Sequence, residues 1–198
     1  MRTFEQHSDG AALAISLFLL IAVLVIGVSA ARSAFDGEKA ARMERDQQLA
    51  LHAAEAALAD AEREIEGGAD AQRAALFAPG SAVGFVDGCG SGRPLPNLGL
   101  CLRRETGSPT WQGIDLAHDE ATVPLGRYTG AAMQVGQGSL PAALPRYIIE
   151  LAPFVSAGEN ASAPVSNFYR ITAIGFGAHP GTRVVLQSYY RKVTGGTP

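Results

Sequence analysis

The feature that most constrains this chain is an uncharged stretch of 21 residues, from Ala11 to Ala31. Twelve of these residues are Leu, Ile, Val or Phe. As an α-helix the stretch is about 31 Å long, which matches the hydrocarbon core of a bilayer. A buried helix of a soluble domain rarely lacks charge over such a length. Residues 11–31 therefore predict a membrane-spanning helix.

A short polar segment, residues 1–10, precedes the apolar helix and ends in Gly10. Cleavage after Gly10 would remove only this leader and would leave the helix attached. Glycine suits such a position, because it has no side chain to obstruct a protease. A secretory signal peptide has a shorter apolar stretch with small residues at its end. Small residues do follow in "VSAARSA", so cleavage near Ala31 is the alternative.

Residues 32–66 continue the helix, since they are rich in Ala, Glu, Arg, Gln and Leu, which favour helical structure. Apolar residues recur here at spacings of three and four, which predicts one buried stripe. The stripe consists of Leu51, Ala54, Leu58, Ala61 and Ile65. Its small alanines favour a sheet of the same chain as the packing partner over a second helix in a coiled coil. Gly67 and Gly68 end the helix.

The remainder, residues 67–198, divides into a loop-rich region and a sheet. Residues 67–145 hold most of the Gly and Pro and predict loops. Three stretches rich in β-branched and aromatic residues predict strands at 146–154, 168–177 and 182–193. The short connection "AHPG" between the last two fits a hairpin. We therefore expect an α+β fold in which an antiparallel sheet, within 146–193, packs on the second half of the long helix.

Two cysteines, Cys89 and Cys101, lie twelve positions apart in the loop-rich region. In a chain with an export-type segment, an even number of cysteines indicates a disulfide in an oxidising compartment. Closing this loop would stabilise the fold by about 3 kcal/mol through restriction of the unfolded chain. Two free thiols are the alternative.

The charge pattern and the titratable residues indicate neither nucleic-acid binding nor catalysis. The net charge is −3 and Lys and Arg do not cluster after residue 46, whereas phosphate binding needs a basic face. His118, Asp119 and Glu120 are adjacent, and adjacent residues seldom converge on one metal. His52 and Glu55 form only half of a helical metal pair. We predict no catalytic, metal or cofactor residue, and a protein that is not an enzyme.

Three segments in combination resemble the type IV pilins, and more narrowly the minor pilins of the PilX type. They are "DGAALAISLFLLIAVLVIGVSA" at 9–30, "RDQQLALHAAEAALADAE" at 45–62 and "FYRITAIGFGAHPGTRVVLQSYYRK" at 168–192. The resemblance implies a pilin-like fold with residues 67–198 as a periplasmic globular domain. It also implies that a prepilin peptidase cuts between Gly10 and Ala11 and methylates the new amino terminus at Ala11.

The resemblance further implies a location and partners. The protein would be a single-pass protein in the lipid of the inner membrane of a Gram-negative bacterium. It would then enter a type IV pilus with the major pilin, other minor pilins and a tip adhesin. Minor pilins of this kind are thought to prime assembly at or near the tip, which connects them to adhesion and twitching motility.

One position departs from the pilin pattern. Pilins generally carry Glu as the fifth residue of the mature chain, and Ile15 stands there in this sequence. In the family that carboxylate meets the amino terminus of the subunit above. A subunit without it suits a position with no subunit above.

The leader also has Glu5 and Asp9 beside Arg2, so its positive bias is weak.

Two other interpretations stay open. Some type II secretion pseudopilins also lack the Glu and cap their filament, but they usually carry a much larger inserted domain. A membrane-tethered periplasmic enzyme or binding protein would explain the apolar helix. It would not explain a helix that continues into the globular part with a stripe of Leu and Ala.

Overall fold

The computed structural model describes residues 9–92, 96–104, 107–118, 120–153 and 167–192. Most of the expected leader lies outside these ranges, as do the final residues of the strands expected at 146–154 and 182–193. The chain divides into two compact units between Arg45 and Asp46.

One α-helix, α1, comprises Asp9–Glu66 and is 58 residues long. In the first unit its large apolar side chains, from Leu13 to Val28, are all at least 46% exposed. By length and composition, α1 could cross a membrane. None of the described residues covers this apolar surface, and an exposed apolar surface of this extent is typical of a contact with lipid or protein.

The helix ends at Glu66 because two glycines follow. The backbone N–H of Gly68 donates to the carbonyl of Arg63 at 3.0 Å, and that of Gly67 donates to the carbonyl of Glu64 at 3.2 Å. Gly68 has a φ of 43°, in the left-handed region that glycine adopts without steric cost. The chain then turns into a short helix, α2, at Ala71–Ala75.

The second unit contains a five-stranded sheet. Its strands are β1 (Leu100–Leu102), β2 (Val123–Pro124), β3 (Arg146–Pro153), β4 (Asn167–Phe176) and β5 (Arg183–Arg191). The order is β1-β3-β4-β5, and β2 also pairs with β3. The three long strands are antiparallel, as expected, but β1 runs parallel to β3. The predicted α+β fold with three antiparallel strands is therefore confirmed, and β1, from the region expected to be loops, adds a parallel strand that makes the sheet mixed.

The region expected to be loops, 67–145, contributes regular structure as well. It supplies α2, β1, β2 and a 3-10 helix at Thr110–Gly113. β1 and β2 have only three and two residues, too few to show a periodic pattern in the sequence. They form because β3 offers backbone partners on its free side.

The sheet is the middle layer of three. Its side chains facing α1, including Tyr147 and Tyr169, pack with Ala57, Ala61 and Ile65 of that helix. The opposite face, including Ile148, packs against the region that holds the two cysteines. Since both faces are covered, every residue of β4 except Phe168 is buried.

Helix and sheet approach most closely at Gly175 of β4. A Cβ atom there would collide with the backbone oxygen of Ala50 and the backbone nitrogen of Ala54. Small residues are thus required on both elements at this crossing, which explains the alanines in this part of α1.

Candidate functional site

The residues expected at the processing site lie at the start of α1. The helix begins at Asp9, so the Gly10–Ala11 bond lies in its first turn. Ile15 follows one turn later and its side chain is 61% exposed. Its apolar neighbours Leu13 and Leu17 are 71% and 56% exposed. Ile15 therefore belongs to a continuous exposed apolar surface.

The buried face of α1 is wider than the predicted stripe. Ala54, Ala61 and Ile65 of the stripe are fully buried, while Leu51 and Leu58 are half-buried. The structure adds three alanines and two acidic residues to this face: Ala50, Ala53, Ala57, Asp60 and Glu64. The two carboxylates are the functional groups that the sequence interpretation missed. Their spacing of four, in step with Ala57 and Ala61, was the available signal.

Asp60 and Glu64 belong to a group of four buried side chains, called here the polar clamp: Asp60, Glu64, Arg73 and Tyr147. The Nε atom of Arg73 donates to Glu64 Oε1 at 2.7 Å, and its Nη1 atom donates to the carbonyl of Pro96 at 2.5 Å. The Tyr147 hydroxyl donates to Glu64 Oε2. The clamp thus joins α1 to α2 and β3.

Local structure places Arg73 for this role. Asp70 caps α2, and its Oδ1 atom accepts from the backbone N–H of Gln72 at 2.9 Å and of Arg73 at 3.0 Å. The Arg73 guanidinium lies 4.3 Å from the centre of the Tyr128 ring, within the range of a cation–π contact. Both the carboxylate and the aromatic face stabilise its buried charge.

Asp60 holds a different segment, the turn that follows β2. Its Oδ2 atom accepts from the backbone N–H of Gly126 at 2.7 Å, and its Oδ1 atom accepts from the Thr129 hydroxyl. The Tyr147 hydroxyl donates to the same Oδ2 atom at 3.4 Å. Through Asp60 the polar clamp fixes a loop 66 positions away in the chain.

Burial dominates the electrostatics of the clamp. Removal from water raises the pKa of Glu64, and the Arg73 charge and the Tyr147 hydrogen bond oppose that rise. Burial also raises the pKa of Tyr147 well above its ordinary value, and the neighbouring Glu64 carboxylate adds to the effect. Tyr147 is therefore a neutral donor over the physiological range.

A second contact between helix and sheet lies at Asp46, the first residue of the second unit. Its Oδ1 atom accepts from the backbone N–H of Ala178 at 2.5 Å and of His179 at 3.3 Å. The hydrogen bond from the Thr182 side chain is the largest cause that lowers the pKa of Asp46, and the backbone donors add to it. Asp46 thereby holds the β4–β5 hairpin on α1.

The opposite face of the sheet has its own buried ion pair. Arg170 donates to Glu150 through Nε at 2.7 Å and through Nη2 at 2.6 Å, a bidentate arrangement across β3 and β4. The hydrogen bonds to Glu150 raise the pKa of Arg170. Cys89 and Cys101 form the disulfide expected for an even number of cysteines in a chain with an export-type segment, and both are buried on this side.

The residues considered for metal binding do not converge. Within the described ranges, no three His, Cys, Asp or Glu side chains are placed to hold a metal ion. His52 contacts Glu55 at 3.0 Å on the exposed side of α1. His118 contacts Asp115 at 3.2 Å. Trp111 is half-buried beside the disulfide-side core and Tyr128 is buried.

A helix whose first part is exposed and apolar, and whose second part packs on a sheet, defines a pilin-like protein. Two families match the chain. Residues 9–59 match the family described as PilX N-terminal, and residues 97–192 match the family described as Type IV pilus assembly protein PilX C-term. The chain belongs to the PilX family of type IV pilus assembly proteins, which are structural components of the pilus. Searches of curated proteins and of solved structures found no match.

Proposed function

We propose that this protein is a minor pilin that primes pilus assembly and occupies the tip, and that it thereby supports adhesion and twitching motility. The observation that carries the proposal is the exposed apolar surface of α1, in which Ile15 takes the position of the pilin glutamate. A surface of this kind can contact lipid before assembly and a bundle of similar helices in the filament.

Maturation begins with the expected leader. A prepilin peptidase cleaves between Gly10 and Ala11, and the amino group of Ala11 is methylated. The new ammonium then has to enter an apolar bundle, where an unpaired charge is costly. A glutamate of the subunit below can pair with it.

Ile15 supports the proposed position at the tip of the filament. Its side chain cannot pair with the ammonium of a subunit above, so such a subunit would carry an unpaired charge in the bundle. The chain is therefore suited to the top of the filament, beside other minor pilins and a tip adhesin, with the major pilin below.

The apolar helix and the disulfide support the proposed location. The protein waits in the inner membrane of a Gram-negative bacterium as a single-pass protein, with residues 67–198 in the periplasm. A disulfide such as Cys89–Cys101 is typical of that oxidising compartment.

Ile15→Glu tests the tip position, with Ile15→Leu as the matched apolar control. Each variant is expressed in a strain lacking the gene, and pili are counted and immunogold-labelled by electron microscopy. We expect Ile15→Leu to restore pili and Ile15→Glu to restore fewer, because its carboxylate has no ammonium above it. More pili with Ile15→Glu, or label spread along them, would contradict the proposal.

A further inference from the structure

The last strand, β5, has an unusually open edge. It is the terminal strand in the order β1-β3-β4-β5, and no other strand of the described residues pairs with its outer side. Proteins commonly protect such an edge with proline, a bulge, a central charge or a short strand. β5 has nine residues, "RVVLQSYYR", with no proline or glycine and no charge between its ends.

The pairing register shows which backbone groups point outward. The backbone N–H of Gly177 donates to the carbonyl of Thr182 at 2.9 Å, and the register pairs Gly175 with Val184. Hydrogen-bonded pairs alternate along an antiparallel ladder. The even-numbered residues of β5 therefore bond to β4. The N–H and C=O groups of the odd-numbered residues, 183 to 191, point away from the sheet.

The same odd-numbered residues present exposed side chains. Tyr190 packs on the side of α1, so its neighbours in the odd positions project from the other face. Val185 and Tyr189 are 46% and 64% exposed on that face. Arg183 and Arg191 lie at the two ends and are exposed as well. The outer edge of β5 thus combines backbone groups that no described strand pairs with, two apolar side chains and a cation at each end.

An open groove lies on the α1 side of this edge. Its volume is about 640 Å³, and it is lined by Ala59, Glu62, Arg63 and Glu66 of α1 together with Tyr190. The Tyr190 hydroxyl donates to Glu66 at 2.7 Å, and this hydrogen bond raises the pKa of Tyr190 to about 12. The two glutamates outnumber the single arginine of the lining, and with the carboxyl end of α1 they make the groove favourable for a basic side chain.

A second copy of β5 does not suit this edge. Antiparallel pairing about Gln187 would place Arg183 opposite Arg191 at both ends, and in-register parallel pairing would also oppose like charges. Like charges directly opposite each other destabilise a strand pair. Carboxylates at these two positions would instead be attracted to both arginines. The charges of β5 thus favour a different chain.

We propose that the outer edge of β5 binds an extended segment of another protein by β-strand addition. The segment carries carboxylates opposite Arg183 and Arg191 and apolar residues opposite Val185 and Tyr189. Backbone hydrogen bonds supply affinity in this binding mode, and the side-chain pattern supplies specificity. This inference concerns an interaction surface, and it does not depend on the tip position proposed above.

A designed peptide tests the edge directly. The probe is Glu-Lys-Val-Thr-Thr-Thr-Val-Thr-Glu, which places Glu opposite both arginines and Val opposite Val185 and Tyr189 in antiparallel pairing. The control peptide has Lys in place of both Glu. Both are labelled and titrated with the full chain in detergent micelles, and fluorescence anisotropy is measured. We expect about tenfold tighter binding of the Glu-ended peptide. Equal affinities, or no binding, would overturn the proposal.

Two kinds of variant locate the binding. Gln187→Pro removes an outward N–H without removing a backbone hydrogen bond to β4, and we expect about a tenfold loss of affinity. The side-chain hydrogen bond from Gln187 to Thr172 of β4 is lost in this variant and in the alanine control alike. Gln187→Ala keeps that N–H and should bind as the original chain does. A loss that is equal in both variants, or absent from both, would contradict binding at this edge.

The double variant Arg183→Glu, Arg191→Glu keeps the backbone intact, so it remains informative if the proline variant does not fold. It should prefer the Lys-ended peptide, and an unchanged preference would refute the charge argument. Sedimentation of the original chain shows whether two copies associate. A dimer that Gln187→Pro dissociates would assign the edge to a second copy and overturn the proposal.

Discussion

The polar clamp offers the sharpest test of what holds α1 in the globular unit. Arg73→Met removes the guanidinium that donates to Glu64 and Pro96, while a methionine of similar length fills much of its space. Glu64 would stay buried without its cation. Breaking a buried ion pair from one side typically destabilises a protein by about 3–5 kcal/mol, because the remaining charge is uncompensated. We expect a loss of this size at neutral pH.

The assay is urea unfolding of the full chain in detergent micelles, followed by the fluorescence of the single tryptophan, Trp111. Arg104→Met is the matched control, since Arg104 contacts Asp87 at 3.5 Å on the surface. Exposed pairs of this kind contribute about 0–1 kcal/mol. A loss in Arg73→Met no larger than that in Arg104→Met would refute the reasoning.

Two further measurements separate charge from packing. The double variant Arg73→Met, Glu64→Gln carries no buried charge at this pair, so it should recover part of the stability lost in Arg73→Met. Burial raises the pKa of Glu64, so the folded chain binds a proton at this carboxylate more tightly than the unfolded chain does. The loss in Arg73→Met should therefore shrink on acidification and grow as the pH rises through the raised pKa. If the stability losses of the two substitutions were strictly additive, and the loss in Arg73→Met did not change with pH, the buried charge of Glu64 would not be the cause.

Three other predictions concern the same unit. Gly175→Ala should destabilise by about 1–3 kcal/mol because its Cβ meets helix backbone, whereas Gly113→Ala, in open space, should not; equal unfolding midpoints would contradict the close crossing. Cys89→Ser with Cys101→Ser should lower stability by about 3 kcal/mol in urea unfolding, and an unchanged midpoint would show that the disulfide adds nothing. Folding lowers the pKa of Asp46, so its carboxylate stabilises the folded state at a pH above the pKa of the unfolded chain. This stabilisation disappears as the pH falls through the lower pKa of the folded state. Asp46→Asn should therefore unfold more easily at neutral pH and converge with the original chain in acid; a constant gap would refute this.

The local sequence patterns predicted the largest elements well. The uncharged run and the helix-favouring residues after it predicted one helix to residue 66, and α1 ends there. The β-branched and aromatic stretches predicted three strands, which the structure has at β3, β4 and β5. These signals are local, because each depends on residues adjacent in the sequence.

The features that the sequence did not reveal depend on distant contacts. β1 and β2 are too short for a pattern and form through pairing with β3. Glu64 and Asp60 resemble surface carboxylates of an amphipathic helix until Arg73, Tyr147 and Gly126 are brought against them. The half-buried Leu58 lies at the margin of a face that alanines occupy, because the close crossing at Gly175 admits only small residues.

The central claim is that the apolar helix is kept after processing and serves as a packing surface. Mass spectrometry of the protein purified from membranes and from sheared pili tests it most directly. We expect one species in both fractions, beginning at a methylated Ala11 and retaining residues 11–31. A chain that begins at Met1, or beyond Ala31, would contradict it.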